Sequence, residues 1–266
     1  MSSTYLALAI VAVLAASTAF SMGGQGGGVV YVPILLALGM SIHDAETTSL
    51  FVIVATSVSA AIIYRRRRTT DWNLALVIEP MTFVLAFGGG LAANYIDAFA
   101  LKIVFGAVLI VASLFMLRPI TERETISARR WGHWPRTMGA YSYVVRLPSL
   151  VPVTAVAGFV AGMIGISGGI FKMPAMLLLG GVPMRIAIGT SSFMVVLTAL
   201  AGLSGHLVSG SGSFDVFVAL PLAAAAFVGG RLGSSLSTRV KPSTLKIYFA
   251  VLLPLVAVWM IVGTLV

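Results

Sequence analysis

Lys172 is the residue whose chemistry asks most for an explanation, because it lies in an apolar run three positions after the glycine pair Gly168-Gly169. A charge at that depth of a membrane costs at least about 2.5 kcal/mol by insertion scales, and ionisable residues so placed usually mark a functional site. If Gly169 opens a helix, the ammonium also sits beside the positive end of a helix dipole, and a bound anion would relieve both penalties. The competing partner is a carboxylate, and Glu79, followed by Pro80 in another apolar run, is the main candidate. The glycine runs 23–28 and 165–169 carry the second kind of chemistry. Glycine permits positive φ and close backbone approach, and uncapped N–H groups at a helix start bind anions. Gly26, Gly27, Gly28, Gly168 and Gly169 are therefore read as donors to an anion, with Gln25 and Ser167 adding side-chain donors from the two runs. Tyr31 stands where Lys172 stands in the second run, and Thr48, Ser49, Thr190, Ser191 and Ser192 could line a path. The alternatives are close packing for the glycines and backbone bonding for the hydroxyls.

The elements that must position these residues follow from composition. Hydrophobic residues make up 59% of 266 positions and charged residues 9%, against roughly 25% charged in an average soluble domain. The solvent is lipid. Apolar runs cover about 3–22, 29–39, 45–64, 73–94 and 99–117, then 150–166, 169–180, 184–208, 214–233 and 243–265, with a polar stretch at 118–149. The first run lacks a basic n-region and an A-x-A site, so it is expected to stay in the membrane. Without cysteine there is no disulfide, thiolate nucleophile or thiolate metal site, and His43, His133 and His206 show no metal-ligand spacing; no cofactor is expected. The net charge of +9 is read as membrane orientation rather than nucleic-acid binding.

The two halves repeat. Gly27-Gly28-Val29-Val30-Tyr31-Val32-Pro33 answers Gly168-Gly169-Ile170-Phe171-Lys172-Met173-Pro174, and Thr48-Ser49-Leu50-Phe51 answers Thr190-Ser191-Ser192-Phe193. Pro80 with Gly88-Gly89 answers Pro221 with Gly229-Gly230, and Leu101-Lys102-Ile103 answers Leu245-Lys246-Ile247. Loop charge sets their relative direction. Arg65 to Arg68 follow the third run of the first half, whereas in the second half Arg239 and Lys241 follow the fourth. If basic loops lie inside, corresponding loops lie on opposite sides and the repeats are inverted, a transporter architecture. A run such as 29–39 spans only about 16 Å, half the hydrocarbon core, so 3–39 and 150–180 are read as re-entrant or broken helix hairpins.

The expected fold is thus all-α, a polytopic transmembrane helical bundle of two inverted repeats, 1–117 and 150–266, joined by a cytoplasmic basic linker at 118–149. Both termini are expected outside, and the linker, with Trp131 and Trp134 among its arginines, as an amphipathic surface helix. No nucleotide-binding motif appears, so transport would be secondary.

The paired blocks, Gly23-Gly24-Gln25-Gly26-Gly27-Gly28 through Pro33 and Gly165-Ile166-Ser167-Gly168-Gly169 through Pro174, with Thr-Ser blocks after each and a basic linker, resemble the sulfite exporter TauE/SafE family of membrane transporters. The resemblance covers nearly the whole chain. It implies a bacterial inner-membrane protein that moves sulfite, a sulfonate or another sulfur-containing anion, usually outward. Small anion and membrane lipid are the expected partners, with no nucleic acid; a homo-oligomer is left open. Two other functions compete with this reading: a passive anion channel, and an intramembrane serine hydrolase using Ser167 in the string Gly165-Ile166-Ser167-Gly168 with His206 as base.

Overall fold

Among the described residues four helices are long and apolar enough to cross a bilayer. The computed structural model describes residues 3–97, 131–210, 212 and 215–237, with scattered positions within 99–110 and 239–255. The expected runs 99–117 and 243–265, most of the basic stretch before residue 131, and both termini lie largely outside the described residues. In chain order the helices are α1 (Ser3–Ser21), α2 (Gly28–Ala37), α3 (Ile42–Arg66) and α4 (Trp72–Ala92). After a hairpin, β1 (His133–Met138) and β2 (Tyr141–Arg146), come α5 (Leu147–Met163), α6 (Gly169–Leu178), α7 (Met184–Ser209) and α8 (Val216–Ser237). This is an all-α polytopic membrane fold.

Local chemistry sets the boundaries. The Ser41 hydroxyl accepts the Asp44 N–H at 3.2 Å and Asp71 accepts the Leu74 N–H at 3.1 Å, capping α3 and α4. Gly210, at φ 65°, ends α7 in the left-handed region. Pro33 and Pro174 stand inside the ten-residue helices α2 and α6. Each lacks an N–H, so the carbonyl four residues earlier, on Val29 and Ile170, loses its helical donor.

Packing is reciprocal between the halves. Helix α1 packs on α8, as α5 packs on α4; α3 packs on α8, as α7 packs on α4; α3 and α7 meet each other. The halves are therefore interlocked rather than juxtaposed. Small residues make this possible: a side chain at Gly89 would strike the Phe159 carbonyl of α5, and one at Gly233 the Thr18 carbonyl of α1. Leu76, Val77, Met81, Phe83 and Val84 on α4, and Phe217, Leu220, Val228 and Leu232 on α8, remain exposed, which is the apolar face a lipid-bathed helix presents.

The first legs of the two hairpins are long and the second legs short. The Tyr64 hydroxyl, one residue before the arginine cluster, donates to the Ser21 carbonyl at 2.8 Å, so α1 ends beside that cluster. The chain then doubles back: Gly26 lies against Ser57 and Gly28 against Ile53, a return of roughly 16 Å along α3. The second hairpin mirrors this. Nε2 of His206 contacts the Gly162 carbonyl at 2.9 Å, Gly168 lies against Thr198 and Gly169 against Val195. Helices α2 and α6 thus both start in the interior, well back from the ends of α1 and α5.

The described part of the linker departs from its expected form. Instead of an amphipathic helix, residues 133–146 make an antiparallel hairpin in the register His133↔Arg146 to Met138↔Tyr141. Alternation explains it: in Tyr141-Ser142-Tyr143-Val144-Val145-Arg146, Tyr143 and Val145 are buried while their neighbours are not, a period of two. Gly139, at φ 58°, makes the two-residue turn. The helix that follows accordingly begins at Leu147, three residues before the expected 150.

Candidate functional site

The two glycine tips meet in the interior. A side-chain carbon on Gly28 would lie 2.8 Å from the Ser167 nitrogen, and one on Gly169 would lie 2.8 Å from the Gly24 carbonyl oxygen and 2.9 Å from Gln25 Cα. The Ser167 hydroxyl donates to the Gln25 carbonyl, joining the tips directly. Gly26 and Gly27 hold φ of 77° and 82°, which favours glycine, whereas Gly168 is ordinary helical backbone. No side chain caps α2 or α6. In the first turns the Val30 N–H donates to the Gly27 carbonyl at 3.1 Å, and the Ile170 and Phe171 N–H groups donate to the Ser167 and Gly168 carbonyls at 3.4 and 3.2 Å.

Each tip is held by the opposite half of the chain. Ser49 of α3 donates to the Gly165 carbonyl at 2.8 Å, and Ser191 of α7 donates to the Gly24 carbonyl at 2.9 Å. Ser49 and Ser191 stand at corresponding places in the two Thr-Ser blocks, so the blocks act as clamps between the two halves. Their neighbours differ. The Thr190 hydroxyl accepts the Asp71 N–H at 2.9 Å, Ser192 bonds its own helix at Ile188, and Thr48 is buried with no hydrogen-bond partner for its hydroxyl. Gln25 is also fully buried, and neither its amide nitrogen nor its amide oxygen has a partner. An unsatisfied buried amide costs about 1 to 3 kcal/mol, so this group needs an explanation.

Lys172 is fully buried, and its ammonium donates to both Glu79 oxygens, at 3.0 and 2.8 Å, and contacts the Thr198 hydroxyl. Thr198 in turn donates to Glu79 at 2.6 Å. The carboxylate named from the sequence is thus the partner found. In the first repeat Tyr31 is buried, shares a 2.8 Å hydrogen bond with Thr56 and lies against Gly27. Lys172, with its stem near Gly168, and Tyr31 therefore flank the two tips at matching positions.

Sequence reasoning missed several polar residues. Thr198 completes the ion pair, Ser57 stands buried beside Gly26 with its hydroxyl unpartnered, and Glu46 is buried against Gly165. A carboxylate at the second position of the apolar run 45–64, two residues before Thr48, was a usable signal for Glu46. Thr198 and Ser57 carried none, since hydroxyls are common in such helices. Outside the spans, the Asp71 carboxylate takes Arg136 at 2.6 and 3.0 Å and the Tyr143 hydroxyl at 2.6 Å, pinning the β-hairpin to the α3–α4 turn. Burial pushes the Asp71 carboxyl up, but the bonds from Arg136, Tyr143 and the Leu74 N–H outweigh it and hold it below the usual carboxylate value.

The geometry does not assemble a hydrolase from Ser167 and His206. The serine hydroxyl engages the Gln25 carbonyl, while Nε2 of the histidine engages the Gly162 carbonyl. Among the described residues no group of three metal-ligating side chains occurs.

Comparison with known proteins follows the same division. The chain is 28% identical to the probable membrane transporter protein YunE of Bacillus subtilis, over 93% of this chain and 94% of that one. It is 25% identical to a probable membrane transporter protein of Methanocaldococcus jannaschii, over 91% and 90%, and 27% identical to the probable membrane transporter protein YfcA of Escherichia coli K12, over 79% and 73%. No solved structure matches. A family model for the sulfite exporter TauE/SafE matches residues 8–260, which takes in both glycine tips and both Thr-Ser clamps, so the chain is a multi-pass membrane protein that belongs to the sulfite exporter TauE/SafE family of transporters.

Proposed function

We propose that this protein is a secondary transporter that exports a small sulfur-containing anion, such as sulfite or an organosulfonate, by alternating access around the meeting point of the two glycine tips. The observation that carries the reading is the pair of uncapped half-helix starts facing each other in the interior beside the unsatisfied amide of Gln25. Two such starts give partial positive charge and backbone N–H donors, which suits a tetrahedral or pyramidal oxyanion. Gly26, Gly27, Gly28, Gly168 and Gly169 supply backbone donors, and Gln25 and Ser167 supply side-chain donors. Thr48, Ser49, Thr190 and Ser191 sit on the helices that close over the tips.

Lys172 enters as the reserve charge. In the closed state Glu79 neutralises it; an arriving anion competes for the ammonium, and Thr198 holds the displaced carboxyl. Tyr31 offers a neutral donor on the other side. Because Gln25, Thr48, Ser49, Ser167 and Lys172 are all buried, the arrangement favours an occluding carrier over a passive channel. The repeats run inverted in this reading, the arginine-rich end faces the cytoplasm with the linker, and both termini lie outside a bacterial inner membrane. An inside-negative potential then contributes about 2.3 kcal/mol per charge per 100 mV toward anion efflux.

Proteoliposome exchange tests this. Labelled sulfite and sulfonates should exchange saturably, while chloride and carboxylates compete weakly. Flux that never saturates would point to a channel, and no flux of any sulfur oxyanion would remove the substrate class.

A further inference from the structure

Glu46 has no place in the anion site, yet it is one of the most unusual groups in the molecule. It is fully buried, and neither carboxylate oxygen has a hydrogen-bond partner. His43, one turn earlier on α3, stands with Nδ1 3.4 Å from Oε2, within ion-pair distance but not hydrogen-bonded to it. The His43 side chain is 28% exposed, so it connects the buried carboxyl to the aqueous end. On the other side Glu46 presses on the second tip: a carbon on Gly165 would strike the Glu46 backbone, and the Gly165 carbonyl is the one held by Ser49.

An ionised carboxylate without donors in a low-dielectric interior carries a penalty of several kcal/mol, whereas the neutral acid carries far less. Closure of the tip against α3 therefore requires a proton on Glu46. Other charged groups facing this region are Asp44 on the same helix, His206 on α7, which interacts electrostatically with His43, and Asp215 before α8, three residues past Gly212, which packs on the His43 carbonyl. Neither α2 nor the tip loop itself brings a titratable side chain to it.

We propose that Glu46 is a proton-binding site, reached through His43, whose protonation accompanies closure of the second glycine tip, so that protons and the transported anion exchange across the membrane. In delivery, Nε2 of neutral His43 takes a proton from water, Nδ1 passes its own to the Glu46 carboxylate, and the imidazole is left as the other tautomer. Rotation of the ring restores it. An anion entering between the tips must spread the contacts of Gly28 with Ser167 and of Gly169 with Gly24, which moves the same loop off Glu46. Water then reaches the carboxyl and the proton leaves. The exchange half of the proposal rests on the anion-transport reading; the proton site does not.

Two measurements on the purified full-length protein separate them. Infrared spectroscopy at neutral pH should show a protonated-carboxyl stretch that disappears in Glu46→Gln and persists in Glu79→Gln. Persistence of that band in Glu46→Gln, or its absence from the wild type, overturns the site. Methanesulfonate, whose own charge is constant over the range, should release about one proton per bound anion into weakly buffered detergent solution. Its apparent affinity should then change by about tenfold per pH unit in the wild type and less than about twofold in Glu46→Gln. Binding with no proton release, or an affinity that follows sodium concentration instead of pH, overturns the coupling. Failure of sulfite and every sulfonate to bind removes the anion reading and the exchange with it, while the carboxyl band still decides Glu46. Should Glu46→Gln fold poorly, hydrogen exchange of residues 162–169 in the wild type replaces it: protection should rise as pH falls, and protection independent of pH counts against the proposal.

Discussion

Lys172 shows how one side chain can satisfy two readings that a well-chosen pair of variants separates. Its ammonium is bound by Glu79 and Thr198, and the side chain is fully buried. Removing one member of such a pair strands the other, which typically costs about 3 to 5 kcal/mol, while removing both is close to neutral. Lys172→Met alone should therefore lower thermal stability markedly, and Lys172→Met with Glu79→Gln should recover most of it. Sulfite affinity is read on the stable double variant. The proposal expects a loss of roughly ten- to a hundredfold there, from one charge-assisted contact; wild-type affinity would make Lys172 purely structural. At the tips, Gly28→Ala places a methyl against Ile53 and the Ser167 nitrogen. It should weaken sulfite binding more than it lowers folded yield, and a drop in yield at unchanged affinity per folded molecule would assign the glycine to packing. The sequence named Glu79 as the alternative partner of Lys172 because few carboxylates share that apolar environment. It could not name Thr198, whose role depends on how α7 is rotated against α4.

At the scale of elements, the helices were legible and the linker was not. Apolar length and glycine–proline punctuation place the described helix boundaries within a few residues of those expected, since both follow from local backbone chemistry. The linker misled because its arginines and tryptophans suggest an interfacial helix by composition, whereas the strand signal is a short alternation over six residues. Tertiary contact then fixes it: Arg136 and Tyr143 project from the paired strands onto Asp71, which also caps α4 and, through its N–H, bonds Thr190 of α7. One residue, through its carboxylate and its backbone N–H, thereby ties the hairpin to both halves. Its folded value is depressed, so the stability it gives is complete above the ordinary value of 3.8 and is lost as pH falls through the lower folded value. Hydrogen exchange at Tyr143 and Val145 should accordingly stay slow at neutral and mildly acidic pH and accelerate only below that ordinary value. Asp71→Asn should bring fast exchange at neutral pH, with a loss of about 1.5 to 3 kcal/mol. Slow exchange in Asp71→Asn would mean the hairpin is held by packing alone.

Across the whole molecule, the reciprocal contacts carry more than the matched motifs could. A sequence repeat says that two halves share a plan; it does not say that each half grips the other's tip. Ser49 on Gly165 and Ser191 on Gly24 are that grip, and α1 on α8 with α5 on α4 is its scaffold. The charges divide by end. Tyr64 and Ser237 both bond the turn after α1, Thr70 bonds Gly189, and the Arg146 N–H bonds Gly180, which gathers Arg65 to Arg68, Arg146, Arg185 and Arg239 at one end. Asn94 with Ser209, and Gly212 with His43, bring Asp44, Asp97 and Asp215 to the other. Basic residues are retained on the cytoplasmic side, so the arginine end should face inward and the halves should be threaded in opposite senses. The chain has no cysteine of its own, which makes single-cysteine labelling in intact cells direct. Cysteines at Thr69 and Thr137 should react only after the membrane is permeabilised, and a cysteine at Ser41 should react at once with an impermeant reagent. Cysteines at Ser3 and Thr264 extend the test to the termini and should also react from outside. Accessibility of Thr137 and Ser41 from the same side would break the division of ends, and termini on opposite sides would end the inverted threading on which alternating access rests.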